Sequence, residues 1–314
     1  MCYGFDGDAA LDRSLAAKGM GRRSFLQAAL AATAGVAAAG AGVAPASAGL
    51  RDTGLSRVPP GLVSIQLYSV REALSGSPGF DETLRRIAAM GYPKVELAGY
   101  YGRTAAELRG FFDSIGISAT SSHDGISSNA QALETKIQNA VTMGQSYMVV
   151  PYLNSSSADD WKRWAEQMNQ EAAAARAAGL RYGYHNHAHE FTIDLGGGVR
   201  PWDVLTAELD PALVHLEIDI HWAVTGGIGS GQSDPEQFTV EVIRAARQRV
   251  LQYHVKDRNP QTGDTADLGT GMIDFAHIFR AHSVSEYIVE NDTPDVTPLQ
   301  TADVGYDYLR RLRF

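Results

Sequence analysis

Residues 159–191 read DDWKRWAEQMNQEAAAARAAGLRYGYHNHAHEF, and their order is that of one repeating unit. Residues 159–178 are good helix formers throughout, acidic at the start where the helix dipole favours negative charge. Gly179 can take the left-handed conformation that stops a helix. Residues 180–185 then form a short strand-like run that ends abruptly in His185, His187, His189 and Glu190.

The unit recurs along the chain. Strand-like runs lie at residues 62–68, 94–98, 118–122, 147–151, 180–185, 213–219, 251–255 and 287–290. Amphipathic stretches separate them. Residues 80–90 and 105–115 run into Gly91 and Gly116, and residues 235–248 follow Asp234, a residue type that caps helices. Strands that alternate with helix-length segments make a parallel sheet with helical crossovers. Eight such units in about 250 residues is the count of the closed (β/α)₈ barrel. The alternative is an open doubly wound sheet, which would carry a Gly-rich cofactor loop after its first strand. None follows residues 62–68.

A barrel gathers its reactive groups at the C-terminal ends of its strands, and the polar residues of this chain concentrate there. The fifth run ends in His185, Asn186 and His187, with Glu190 just beyond. The sixth carries Glu217, Asp219, His221 and Trp222; the seventh His254, Lys256 and Asp257; the eighth Glu290, Asn291 and Asp292. Gln66, Glu96 and His123 mark the ends of the first three. Buried charge costs several kcal/mol unless paired or metal-bound. Asp219, His254 and Glu290, from three consecutive strands, form a mixed N/O set that suits Mn²⁺, Zn²⁺, Co²⁺ or Fe²⁺. His185 or His187, which alternation points the same way, completes the site, or Glu190 if its loop folds back. Glu190, His187 and Glu217 are the candidates to shuttle a proton. Lys256 is read with His187 as a substrate-contacting or proton-handling group, and Asp257 as orienting Lys256 or a ligand. Gln66, Glu96 and His123 are candidate substrate contacts. Trp222 is read either as an apolar wall for a sugar face or as plain core, His215 as structural, and His277 and His282 as surface residues.

These segments resemble the sugar phosphate isomerase/epimerase family, the xylose-isomerase-like barrels. The likeness spans nearly all of residues 62–314. It is carried by IQLYSVRE (65–72), GYPKVELAGYYG (91–102), YHNHAHEF (184–191), EIDIHWAVTGG (217–227), YHVKD (253–257), LGTGMIDF (268–275) and YIVEND (287–292). The resemblance implies one divalent metal held by Glu, Asp, His and Glu from strands five to eight. By position the last three fall on Asp219, His254 and Glu290. The first falls on His185, where most relatives have glutamate. A neutral imidazole there raises the net charge of the site and strengthens it as a Lewis acid. The implied reaction is isomerisation, epimerisation or elimination next to a sugar carbonyl, or cleavage of a 3-keto-glycoside, through a metal-stabilised enediolate. A non-catalytic carbohydrate-binding barrel is the alternative reading. The endonuclease IV branch does not fit, because it uses a larger His-rich multi-metal site and a DNA-binding face. The family's phosphate is not expected either, since no phosphate-gripping Gly-rich loop or Arg cluster is evident.

The chain has 314 residues and a formal net charge of −9. An acidic chain without a basic run is a poor partner for nucleic acid or an anionic membrane; the partner that the resemblance implies is a small carbohydrate. Residues 1–48 read as an export signal. Gly21-Arg22-Arg23-Ser24-Phe25-Leu26-Gln27 is a twin-arginine motif, residues 28–43 are apolar, and Ala46-Ser47-Ala48 is a small-x-small cleavage site. The apolar run is rich in Ala and Gly rather than Leu and is followed by Pro45, which argues against a membrane anchor. Residues 49–61 read as a linker and residues 62–314 as the barrel. Cleavage would remove Cys2, the only cysteine, and with it any Cys-ligated zinc or disulfide. The expected location is periplasmic or extracellular.

Overall fold

A computed structural model describes residues 55–294 and 296–314. The export signal, the first part of the linker and Cys2 lie outside the described residues. Eight strands are parallel to their neighbours: β1 (Val63–Gln66), β2 (Lys94–Leu97), β3 (Ser118–Ser122), β4 (Tyr147–Val150), β5 (Arg181–His185), β6 (Val214–Asp219), β7 (Val250–Val255) and β8 (Glu286–Val289). β1 pairs with both β2 and β8, and the bridge His123↔Val149 joins β3 to β4, so the sheet closes. This is the eight-stranded parallel barrel expected from the sequence.

The helices form the outer layer. Along Ala158–Ala177 the buried apolar residues are Trp161, Ala165, Met168, Ala172 and Ala175, the alternating three- and four-residue spacing of one helix face. Full burial of a side chain of Met size contributes about 1.5–3 kcal/mol, so this stripe fixes the helix on the sheet. One helix ends earlier than expected, and one was not expected. The helix from Pro235 ends at Ala245, and a further helix, Ile220–Gly229, starts directly on the end of β6. The described part of the linker is also docked: Val58 is 2% exposed, and Ser56 and Phe314 exchange backbone hydrogen bonds of 2.6 and 3.1 Å. No helix among the described residues is long and apolar enough to cross a membrane.

Strand alternation sorts the two faces. On β6, Val214, Leu216 and Ile218 face the helices while His215, Glu217 and Asp219 face inward. The interior is therefore polar where barrels usually stack Val, Ile and Leu. A small separate apolar cluster remains, formed by Tyr147, Val149 and Leu251. Register sets the polar side chains at matching heights: Gln66 opposite Glu96, Glu96 opposite Ser121, His185 opposite Glu217, and Asp219 opposite His254. Register shifts fall at Val95/Glu96 and Leu216/Glu217, where the local kink re-aims the inward carboxylate.

Candidate metal centre

β6 ends where the next helix begins, and Asp219 serves both elements. It is the N-cap of Ile220–Gly229, its Oδ1 accepting the Trp222 N–H at 2.9 Å. That use of one oxygen turns Oδ2 into the barrel, where it is buried without a well-formed hydrogen bond. His185 Nε2 lies 3.7 Å from it and Lys256 Nζ 3.0 Å. Asn186 clamps the Asp219 backbone from the other side of β5, its Oδ1 accepting the Asp219 N–H at 3.0 Å and its Nδ2 donating to the Asp219 carbonyl at 3.2 Å. His254 Nδ1 is 2.7 Å from Glu290 Oε2. One ligand atom from each of His185, Asp219, His254 and Glu290 falls within 4.8 Å of the others. Two imidazole nitrogens and two carboxylate oxygens make a donor set that fits a first-row divalent cation.

Electrostatics point the same way. Glu96, Glu217, Asp219 and Glu290 are all buried, and Lys256 is the one buried ammonium among them. Lys256 Nζ lies 2.8 Å from both Glu290 and Asp292 as well as beside Asp219. Burial works against its charge, but these three carboxylates raise its pKa well above the ordinary value. Burial likewise opposes charge on His254, and Glu217, Glu290 and Glu96 outweigh it. Burial pushes Asp219 up to about 6, against the pull of Lys256.

A second nest lies deeper. Glu217 Oε1 is 2.9 Å from His123 Nε2, 3.0 Å from His185 Nδ1 and 3.1 Å from His254 Nε2. Glu96 Oε2 is 2.7 Å from His254 Nε2 and accepts from Gln66 Nε2 at 2.8 Å, while Glu96 Oε1 accepts from Ser121 Oγ at 2.6 Å. Gln66 Oε1 in turn accepts the Tyr68 N–H. Gln66 and Glu96 are thus buried, and each is hydrogen-bonded within the barrel. Glu217 is equally buried, its Oε1 shared by three imidazoles. His123 stays near the mouth, partly exposed, stacked on His254 with ring centroids 5.1 Å apart.

Two further expectations are corrected. Glu190 Oε1 accepts from Tyr184 Oη at 2.6 Å, and Oε2 accepts the His187 N–H at 2.9 Å. Tyr184 alternates with His185 and faces the helices, so Glu190 anchors the loop on the outer side, apart from the four converging ligand atoms. Asp257 does not orient Lys256. Its carboxylate accepts the backbone N–H groups of Arg258, Gly269, Gly271 and Ile273 and folds the loop after β7.

The mouth itself is aromatic. His187 stacks on Trp222 with centroids 5.4 Å apart, and Lys256 Nζ lies 5.3 Å over the indole. His187 Nδ1 and Trp222 Nε1 are buried without a hydrogen-bond partner. Burial, then His185 and Lys256, lower the His187 pKa to about 2, so the ring is neutral. Trp222 therefore belongs to the mouth and not to the plain core. His215 sits lower in β6, 2.9 Å from Gln252, as a structural residue should; His277 and His282 are half-buried. Asn186 and Asp292 were not singled out as site residues. Both stand in the strand-end motifs, but alternation alone points Asn186 away from the mouth.

Residues 84–310 match the family described as xylose isomerase-like TIM barrel. Among solved structures, a sugar phosphate isomerase/epimerase from Parabacteroides distasonis is similar at 24% identity, covering 85% of this chain and 98% of that one, with a TM-score of 0.67. An L-ribulose 3-epimerase is similar at 16% identity, covering 78% and 92%, with a TM-score of 0.56. The IOLI protein with a binding zinc atom is similar at 14% identity, covering 78% and 98%, with a TM-score of 0.58. No curated protein matches this chain.

Proposed function

We propose that this chain, which belongs to the xylose isomerase-like TIM barrel family, is a sugar isomerase, epimerase or lyase that removes a proton next to a carbonyl with one divalent cation bound. The observation that carries the reading is the convergence of His185, Asp219, His254 and Glu290 from four consecutive strands, beneath a mouth with two unpartnered polar atoms. When bound, the cation supplies Lewis acidity to a carbonyl and its neighbouring hydroxyl, lowering the cost of the enediolate left by the departing proton.

The protein's own groups divide the remaining work. Trp222 offers a flat apolar face and an indole N–H to a sugar, and His123 stands opposite at the rim. Of the four candidate proton-handling groups, Glu190 is tied to its loop, Glu217 is deep in the barrel, and Lys256 is held by three carboxylates. His187 is the one left. Its Nδ1 has no partner among the described residues; burial weakens it as a base, so the proton it takes must come from a carbon already acidified by the bound cation.

The test is turnover of open-chain ketoses and 3-keto-glycosides in deuterated water, with NMR detection of label at the carbon next to the carbonyl. Label should wash in. His187→Ala should retain metal and lose about 10²–10⁴ in rate, the usual worth of general acid–base help. Metal-loaded protein that neither exchanges nor turns over any member of the panel sinks the enzymatic reading in favour of a carbohydrate-binding barrel.

Export by the twin-arginine route is part of the same proposal, supported by Arg22, Arg23 and the Ala46-Ser47-Ala48 triplet. Replacing both arginines by lysine should leave the protein inside the cell; unchanged secretion refutes the route.

A further inference from the structure

Two imidazoles belong to both nests of ligand atoms. His185 turns Nε2 towards Asp219 and Nδ1 towards Glu217, while His254 turns Nδ1 towards Glu290 and Nε2 towards Glu96 and Glu217. Either His185, Asp219, His254 and Glu290 or His123, His185, Glu217 and His254 could surround a cation. A neutral imidazole binds metal through the nitrogen that lacks a proton, and the other nitrogen then carries the N–H. The two sets therefore demand opposite tautomers of the same two rings. Position along the strands decides between them. Glu217 lies two residues before Asp219 in β6, further from the strand end, whereas Asp219 caps the next helix right beside Trp222 and the aromatic mouth.

We infer that Glu217 and Glu96 are the positioning residues of the metal centre, accepting the far N–H groups of His185 and His254 and so turning the lone pairs of both rings towards the cation. The inference rests on the proposed function and assigns these carboxylates a task in it. Carboxylates in this place raise ligand basicity and fix ring orientation. The rest of the nest is built to hold them. Gln66 and Ser121 fix Glu96, and His123 stands 2.9 Å from Glu217 and 3.2 Å from Glu96, bridging the two. His123 also stacks on the face of His254, with ring centroids 5.1 Å apart.

The experiment is calorimetric titration of the metal-stripped protein with Zn²⁺, together with the visible absorption of its Co²⁺ form. Glu217→Gln and Glu96→Gln should each bind Zn²⁺ about 10–100-fold more weakly and shift the Co²⁺ bands, with Glu217→Asp recovering part of the affinity. Glu286→Gln is the control, a buried barrel carboxylate that touches neither ring, and should bind as wild type. If Glu217→Gln fails to fold, Glu96→Gln tests His254 alone. Wild-type affinity and an unchanged Co²⁺ spectrum in both Gln variants, with Asp219→Ala losing metal, overturn the inference and leave the proposed function standing. Metal retained in Asp219→Ala but lost in Glu217→Gln puts the cation in the deeper set and also overturns it. A wild-type protein that takes up no cation defeats the proposed function itself.

Discussion

Asp219 shows how one residue can carry a fold boundary and a ligand at once. Oδ1 caps a helix and Oδ2 faces the other ligands, so the two roles can be separated. Asp219→Asn keeps an oxygen for the Trp222 N–H and discards the charge. It should keep the cap and, against metal-stripped wild type, lose only the charge pairing with Lys256, yet purify with little metal. Asp219→Ala should lose metal and, in addition, about 1 kcal/mol for the missing cap. Elemental analysis beside thermal denaturation reads both. Glu190→Gln should do the reverse, keeping metal while weakening two charge-assisted hydrogen bonds, each worth about 1.5–3 kcal/mol. Metal loss there would restore Glu190 as the fourth ligand. His185, Asp219, His254 and Glu290 were legible because alternation fixes the direction of a strand residue once its strand is known. Glu190 and Asp257 were not, because a loop carries no such period: three residues beyond the strand, Glu190 turned back to the hydroxyl of Tyr184.

At the scale of elements, all eight strands could be read from the sequence to within a residue or two. Their apolar runs are short and bounded, and glycines close several of the helices between them. Ile220–Gly229 escaped because it starts with no break after β6 and contains Gly226 and Gly227, which pattern reading takes for a loop. The structure gives the reason for those glycines. A Cβ on Gly226 would lie 2.6 Å from the Phe191 ring, and one on Gly227 2.9 Å from the ring of Phe238. The helix is thus pressed against the loop that follows β5, which places Trp222 beside His187. Gly226→Ala should cost about 1–3 kcal/mol through overpacking, read as a lower denaturation midpoint with an unchanged slope. An unaltered midpoint would show that Phe191 can move aside. Because Phe191 belongs to that same loop, the variant should also disturb the stacking of His187 on Trp222, seen as a change in tryptophan fluorescence.

Over the whole molecule, the price of a polar barrel interior falls on its buried acids. Glu286 has one oxygen bonded to Thr120 and the other without a partner, and burial raises its pKa from 4.5 to about 7. The folded state therefore holds a proton that the unfolded chain releases between those values, so this group's contribution to stability falls as pH rises from 4.5 through 7. Glu286→Gln removes the dependence and should be more stable than wild type at pH 8, by about 3 kcal/mol at most. Denaturation at pH 5 and pH 8 checks the sign; a variant that loses stability at pH 8 would show the carboxylate is ionised and paired. No strand pattern reveals this, since hydropathy treats an inward glutamate as a surface residue. The pairing of Ser56 with Phe314 has a consequence of a different kind. Ser56 precedes β1 and Phe314 follows the last helix, so their two backbone hydrogen bonds draw residues 56–314 into a ring, and a short join between these two positions with a new break in a surface loop should give a circular permutant that keeps every strand in its place.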